Sequence, residues 1–434
     1  MTAGVRKALP AEESRTELRA GSMERFHRLG VPTARDESWR YTNLRSLDTG
    51  RFAETLGAPA GPVSARSWLD PEALLPTIVV VNGHLVAGAG LQWLPPEIES
   101  FKISRLKDLS HKESEDIECR FPAFSDAERH RFALLNSALS PDTLHVQVLG
   151  AAAAPLLIVH LTVGGRPEAA AHPRVLIEAA PGARATVIEH HIAEPEAAAA
   201  AAALCNSVTR ITLAAGAAID HYRLFSTAPD ATHFDTLEVR QAGDSCCRQF
   251  TAALGGGLVR TTLEARLEAP GASLDSRALL VGHESRHVDC VALAVHAAPH
   301  TLSRQTARAI ASGESRVIFN STARVEAGAR GAESQQSFRG LLMSPRAEID
   351  SRPQLEIHAD EVKCAHGATT GRLDPDMLFY LLSRGIDPAT AQSLLVYAFL
   401  ADVLGAVPLP EARRAIENAL ISQLPDSQLL RKFR

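Results

Sequence analysis

No segment of the 434-residue chain approaches the roughly 18 to 20 uninterrupted apolar residues of a membrane-spanning helix. The amino terminus, MTAGVRKALPAEESRTELRAGS, lacks the apolar core of a secretory signal. These two absences predict a cytoplasmic chain with no membrane partner. Aromatic residues make up only 5% of the sequence and the formal net charge is -5. A nucleic-acid binder needs stacking rings and a basic face, so no nucleic-acid partner is expected. Cysteine is also sparse: Cys119, Cys205, Cys246, Cys247, Cys290 and Cys364 include no C-x-x-C pair. Neither a disulfide framework nor a complete tetrathiolate metal or cluster site is therefore written in this chain. A phosphate-binding G-x-x-x-x-G-K-[ST] loop, a G-x-S-x-G elbow, a Rossmann glycine fingerprint and an H-E-x-x-H zinc motif are all missing, which leaves nucleotide hydrolysis and nucleophilic catalysis without a signature.

What is present is ordinary globular material, 45% hydrophobic and 22% charged, long enough for two or three structural units. Residues 1–144 read as a mainly helical region. SRTELRAGSMERFHRLG has helical spacing and stops at Gly30, and DAERHRFALLNSALS is a second amphipathic segment capped by Ser125 or Asp126. Between them PTIVVVNGHLV carries a hairpin signal at Asn82-Gly83. Residues 145–372 change character to short alternating runs of Val, Ile, Leu and Thr. A phrase recurs there, an alternating run meeting a Gly-Ala turn and alternating again: RVLIEAAPGARATVIEHH around Gly182, TRITLAAGAAIDHYRLF around Gly216, EARLEAPGASLDSRALLV around Gly271 and STARVEAGARGAESQQSF around Gly328. A looser copy, RGLLMSPRAEIDSRPQLEI, has Arg346 at the turn. Stacking such units buries one continuous core, so a β-solenoid is predicted, although a face-packed sandwich fits the irregular spacing nearly as well. The alanine run at 197–203 reads as a loop insertion or short helix. Residues 373–434 read as a helical domain, with Asp374-Pro375 and Asp387-Pro388 as starts, Gly385 and Gly405 as stops, and Pro410 opening a last helix that runs to Pro425.

Cys364 and His366 form C-x-H, which in an extended strand puts a thiol and an imidazole on one face about 7 Å apart. These donors suit zinc, copper or iron–sulfur species, and Lys363 next door would favour the thiolate if its charge lies nearby. Two donors are too few for a site, and a buried cysteine beside a hydrogen-bonded histidine is the ordinary reading. His358 and Asp360 share the parity, but a corner before Val362 would reset the phase. Cys246 and Cys247 point to opposite faces of a strand and read as packing. His190, His191, His283, His287, His296 and His300 read as solvated. The helix after Asp387 is apolar on more than one face, through Leu394, Phe399, Leu400 and Val403 among others, so it is either buried on several sides or offers a face to a partner.

The run from SRVIFNSTARVEAGARG at Ser315 through QQSFRGLLMSPRAEIDSRPQLEIHADEVKCAHGATTGRLDPDMLFYLLSRGI, ending at Ile386, resembles the carboxy-terminal signature of the SufB/SufD family of iron–sulfur cluster assembly scaffolds. Weaker resemblance reaches back to Asp36-Glu37-Ser38-Trp39-Arg40-Tyr41-Thr42. C-x-H-G-A-T at Cys364 to Thr369 is similar to the SufD branch, whereas SufB usually reads S-H-E-A-S there. The resemblance implies a right-handed parallel β-helix flanked by helical ends and a heterodimer with SufB formed through the β-helix. It also implies that the ATPase SufC docks on residues 373–434 and that this chain is a scaffold rather than an enzyme. Cys364 and His366 would help hold a transient iron–sulfur cluster shared with SufB, so neither chain need supply all its ligands. A bound flavin is left open, and a homodimer through the same β-edge is expected when the chain is alone. Departures from the family pattern are Ala365 in place of a common serine, His358 where an aromatic is frequent, and the alanine-rich stretch near 200. The competing classes are a β-helix enzyme of polysaccharide lyase or acyltransferase type, for which no lined groove or six-residue repeat is found, and a stand-alone metal-binding protein.

Overall fold

The computed structural model describes residues 11–44, 54–57, 75–85, 97–98, 100–120, 127–163, 169–194, 204–407 and 409–421. The β region is a parallel solenoid of about 7 turns in which the chain alternates between two ten-stranded sheets. One sheet stacks Leu156–Val163, Arg184–Glu194, Ala218–Ser226, Cys246–Ala253, Ser273–Gly282, Leu302–Ala311, Glu333–Leu342 and Lys363–Gly371. The other stacks Leu144–Val148, Arg174–Ala179, Leu204–Leu213, Thr232–Gln241, Leu258–Leu267, His287–His296, Arg316–Val325 and Glu348–Ile357. Successive turns pair in parallel, as in Cys246 opposite Ser273 and Ser273 opposite Leu302. An antiparallel sandwich is thereby ruled out.

One corner of the solenoid explains the recurring phrase. A left-handed residue stands there in every turn: Gly182, Gly216, Asp244, Gly271, His300, Gly331 and Glu361. The backbone N–H of each of the first six donates to a carbonyl of the next turn, as from Gly216 to Gly243 at 2.9 Å and from Gly331 to Glu361 at 3.0 Å. Where the preceding turn carries a side chain, a Cβ in place of glycine would also crowd that side chain. A Cβ on Gly271 would lie 2.1 Å from Asp244 Oδ1, and one on Gly331 would lie 2.5 Å from His300 Nδ1. Two sequence expectations are corrected here. The left-handed position of the fourth phrase is Gly331 and not Gly328, and Arg346 belongs to the opposite corner, between Glu333–Leu342 and Glu348–Ile357.

Residues 1–144 contribute three helices, α1 (Ala11–Leu29), α2 (His111–Arg120) and α3 (Arg131–Leu139), but also start both sheets. Thr77–Val81 pairs in parallel with Leu156–Val163, and Phe101–Arg105 runs antiparallel to Leu144–Val148. Asn82-Gly83 makes the expected hairpin turn, with both residues left-handed. α1 and α3 cover the second sheet through Phe26, Phe132 and Phe234; Phe132 stacks on Phe234 at 3.9 Å, and Trp39 carries the Arg260 guanidinium 3.8 Å from its ring centre. The Ser125 and Asp126 cap and the alanine run at 197–203 lie outside the described residues.

After the last strand come α4 (Pro375–Ser383), α5 (Pro388–Leu404) and α6 (Pro410–Ile421). Both aspartate caps form: Asp374 accepts from the Asp376 N–H at 2.8 Å, and Asp387 from the Thr390 N–H at 3.0 Å. α5 and α6 lie on the first sheet, where Val396, Leu400, Val403, Ile416 and Leu420 pack with Tyr222, Phe250, Leu279, Ile310 and Leu341. α4 buries no residue. Among the described residues, no helix is long and apolar enough to cross a membrane.

Candidate functional site at the open end of the solenoid

The two sheets end on Glu348–Ile357 and Lys363–Gly371, whose outer edges pair with nothing among the described residues. Every earlier turn is covered by the turn that follows it. Here no further turn follows, and Lys363–Gly371 is exposed along nearly its whole length while its neighbour Glu333–Leu342 alternates with buried Ser334, Gln336 and Phe338. An edge of this kind is a ready template for another chain, and Pro353 on the outer strand limits which backbone groups can pair.

Cys364 and His366 sit on that last strand, in register with Ser334 and Gln336, so both share the face that points into the solenoid lumen in the turn below. His366 is exposed, and Cys364 is half-buried against Val325, Ala329, Ala332, Ala359 and Val362. Lys363 does not activate the thiol as expected. It points to the opposite face and donates to Glu333 at 2.7 Å, while burial pushes the Cys364 thiol above its ordinary value, with a counteracting hydrogen bond from the Ser334 backbone. The thiol is therefore held in its protonated form at neutral pH. His358 and Asp360 fall in the corner beyond the strand, beside left-handed Glu361, so the corner does break their alignment with His366.

The other candidate residues separate cleanly. Cys246 and Cys247 do point to opposite faces, with Cys247 wholly buried. Burial pushes the Cys205 thiol up to about 12 and the Cys290 thiol to about 11, and both are inert core residues. The reading of the histidines as solvated holds for exposed His300 and is corrected for the others: His191 and His296 are buried, and His190, His283 and His287 are half-buried. His296 bonds to Thr301 Oγ1 and Ser303 Oγ, each at 2.8 Å. Sequence reasoning also missed His160, His172, His221 and His233, all buried. Only stacking of turns distant in sequence brings them together, and no spacing within a single strand announces it.

Of the proposed partner-facing residues on α5, Leu400 and Val403 are 1% and 0% exposed and packed against the first sheet, so they are unavailable to another chain. Leu394 and Phe399 are half-buried. The large exposed apolar groups of the region are on α4 instead: Met377, Phe379, Tyr380 and Leu382, with Phe379 71% exposed.

Residues 161–399 match the model of the SUF system FeS cluster assembly SufBD core domain. The chain is similar to the iron-sulfur cluster assembly protein SufD of Escherichia coli, with 31% identity over 389 residues that cover 89% of this chain and 87% of that protein. It is 26% identical over 407 residues to a SufBD family iron-sulfur cluster assembly protein of Synechocystis, covering 90% of this chain and 87% of the relative. With SufD of Bacillus subtilis it shares 38% identity over 103 residues, 24% of each chain.

Proposed function

The chain belongs to the SufBD family of iron–sulfur cluster assembly proteins, and from that premise we propose that it is a non-ATPase scaffold subunit whose open solenoid end pairs with SufB. The observation that carries this reading is the placement of Cys364 and His366 on the exposed last strand, lumen-side, at a sheet edge with no partner strand among the described residues. A thiol and an imidazole can each ligate iron, and an interface across which SufB adds further donors would complete a cluster site that neither chain holds alone. The cluster is cargo, assembled and passed on. When the chain is alone, the same edge would pair two copies.

SufC, in this reading, docks on the carboxy-terminal helices and supplies ATP hydrolysis. Its contact surface is α4, with Met377, Phe379 and Tyr380, extended by Leu394 and Phe399 of α5. A β-helix enzyme has no supporting observation among the described residues.

The deciding experiment is anaerobic co-purification with SufB and SufC, with iron and sulfide measured per complex, for wild type, His366→Ala and Cys364→Ser. His366 is exposed, so its loss should move stability by no more than about 0.5 kcal/mol. Cluster content should fall strongly for His366→Ala, and less or variably for Cys364→Ser, at unchanged SufB affinity. A His366→Ala complex with wild-type iron and sulfide would remove the imidazole from the site.

A further inference from the structure

Deep in the lumen of the early turns, three strands of the first sheet bring His160, Glu189, His191 and His221 together, all at most 4% exposed. Glu189 Oε2 meets His160 Nε2 at 2.8 Å and the Thr209 hydroxyl at 3.0 Å, and its other oxygen meets His221 Nε2 at 2.7 Å. The His191 ring stacks between His160, at 4.4 Å, and Phe225, at 4.7 Å, with His233 edge-on at 4.9 Å. Among the described residues neither nitrogen of His191 has a hydrogen-bond partner, and Nδ1 of His160 has none. One ligand atom from each of His160, Glu189 and His191 lies within 4.8 Å of the other two.

Two features of this cluster are unexplained by packing. The first is charge. The nearby guanidinium of Arg223 is taken by Asp235, so the wholly buried Glu189 carboxylate has only imidazoles to balance it. Its hydrogen-bond partners are His160, His221 and Thr209, with no guanidinium or ammonium group among them, so a bound cation would complete its surroundings. The second is His191. Phe225 fills the same rung one turn on, and a hydrocarbon ring at 191 would complete the stack without stranding two polar atoms.

We propose that His160, Glu189 and His191 form a metal site inside the solenoid that holds one divalent first-row transition ion, iron(II) or zinc(II), apart from the open-end donors Cys364 and His366. Two imidazoles and a carboxylate are a ligand set for such ions. Ligands about 2.1 Å from a tetrahedral ion stand about 3.4 Å apart, so the His191 ring must tilt out of its parallel stack on His160 for both imidazole lone pairs to converge on the ion. The ion supplies the missing positive charge and takes the lone pair of His191. His221 and Thr209, bonded to Glu189, orient the carboxylate from outside the ligand set. Because the lumen is closed, the ion enters as the turns stack, during folding. The site stands independently of the pairing and docking proposed above.

The test is metal content of the full-length chain, purified without chelator from cells grown with added iron or zinc and, in parallel, refolded anaerobically with cobalt(II). One ion per chain is expected, with a cobalt spectrum free of thiolate charge transfer. Glu189→Gln and His191→Phe should reduce metal to background, whereas a combined Cys364→Ser and His366→Ala chain should keep it. Circular dichroism and elution volume check folding, and if His191→Phe does not fold, Glu189→Gln and the wild-type cobalt spectrum decide. Metal-free wild type from both routes would overturn the site, as would metal retained in both lumen variants or lost from the open-end variant. A folded His191→Phe that keeps the ion while Glu189→Gln loses it would make His191 a packing residue.

Discussion

Exchanging a leucine of α5 and a phenylalanine of α4 for aspartate separates two surfaces that look equally apolar in the sequence. Leu400 is 1% exposed and locked between Val396, Leu404 and the first sheet. Removing a buried leucine side chain costs about 2 to 5 kcal/mol from lost burial and cavity alone, and an unpaired carboxylate in that space adds to it. A total of about 5 kcal/mol or more rivals the entire stability of an ordinary domain. Leu400→Asp should therefore detach or unfold α5 and α6, and any loss of SufC binding by that variant would be trivial. Phe379 is 71% exposed and α4 buries none of its residues, so Phe379→Asp should change stability by no more than about 0.5 kcal/mol. If Phe379 anchors the ATPase, the same change should weaken SufC binding by about 2 kcal/mol, or about 30-fold. Thermal melting followed by isothermal titration with SufC measures both quantities on one sample. A folded Phe379→Asp chain with wild-type SufC affinity, repeated with Tyr380→Asp, would refute docking on α4. A Leu400→Asp chain that melts like wild type would refute the packing assigned to α5.

Acid should loosen the fold before carboxylates titrate. Burial pushes His172 down to about 3 and His296 to about 4, so between those values and the ordinary imidazole value of about 6.5 the unfolded chain binds more protons than the folded one. Stability should therefore be full above about pH 6.5 and fall as pH drops through that window, and urea midpoints at pH 7.5 and 5 should differ less in His172→Gln than in wild type. At the solenoid corner, Gly271→Ala places a Cβ 2.1 Å from Asp244 Oδ1 at a backbone φ of +78°, and should cost about 1 to 3 kcal/mol. Gly328→Ala meets nothing within 4 Å and should be neutral to about 0.5 kcal/mol by the same melting assay.

Local chemistry made some of this structure legible and hid the rest. The aspartate and proline starts of α4 and α5 act within a few residues, so sequence and structure agree on them. The solenoid corners are local only where glycine marks them. At Asp244, His300 and Glu361 the same left-handed backbone is carried by residues with side chains, so those copies went unread and the spacing looked irregular. Glu361 gives no local signal at all, since stacking on Gly331 holds its backbone from the turn below. The lumen cluster was illegible for a related reason: His160 and His191 are neighbours only once two turns are in register, and the register is fixed by those corners.

Register also accounts for what is distinctive about His366. One column of the first sheet runs His221, Gln249, Ser276, Gln305, Gln336 and His366, each residue opposite the next across a strand pair. Within it Ser276 donates to Gln249 and Gln336 to Gln305, both at 2.9 Å, and His221 at the far end meets Glu189 of the lumen cluster. Neighbouring rungs are about 4.8 Å apart, so each interior side chain has a partner on either side and little freedom. The last rung has a partner on one side only. An imidazole there is backed by buried Gln336 and open in front, which is the geometry a donor needs if a second chain is to bring the remaining ligands. The same residue type one turn earlier would be enclosed by the next turn, as His221 is. For the proposed shared site, then, the position of the histidine at the end of the column matters as much as its chemistry. An additional turn built onto Lys363–Gly371 should abolish pairing with SufB and cluster assembly together, even with Cys364 and His366 intact.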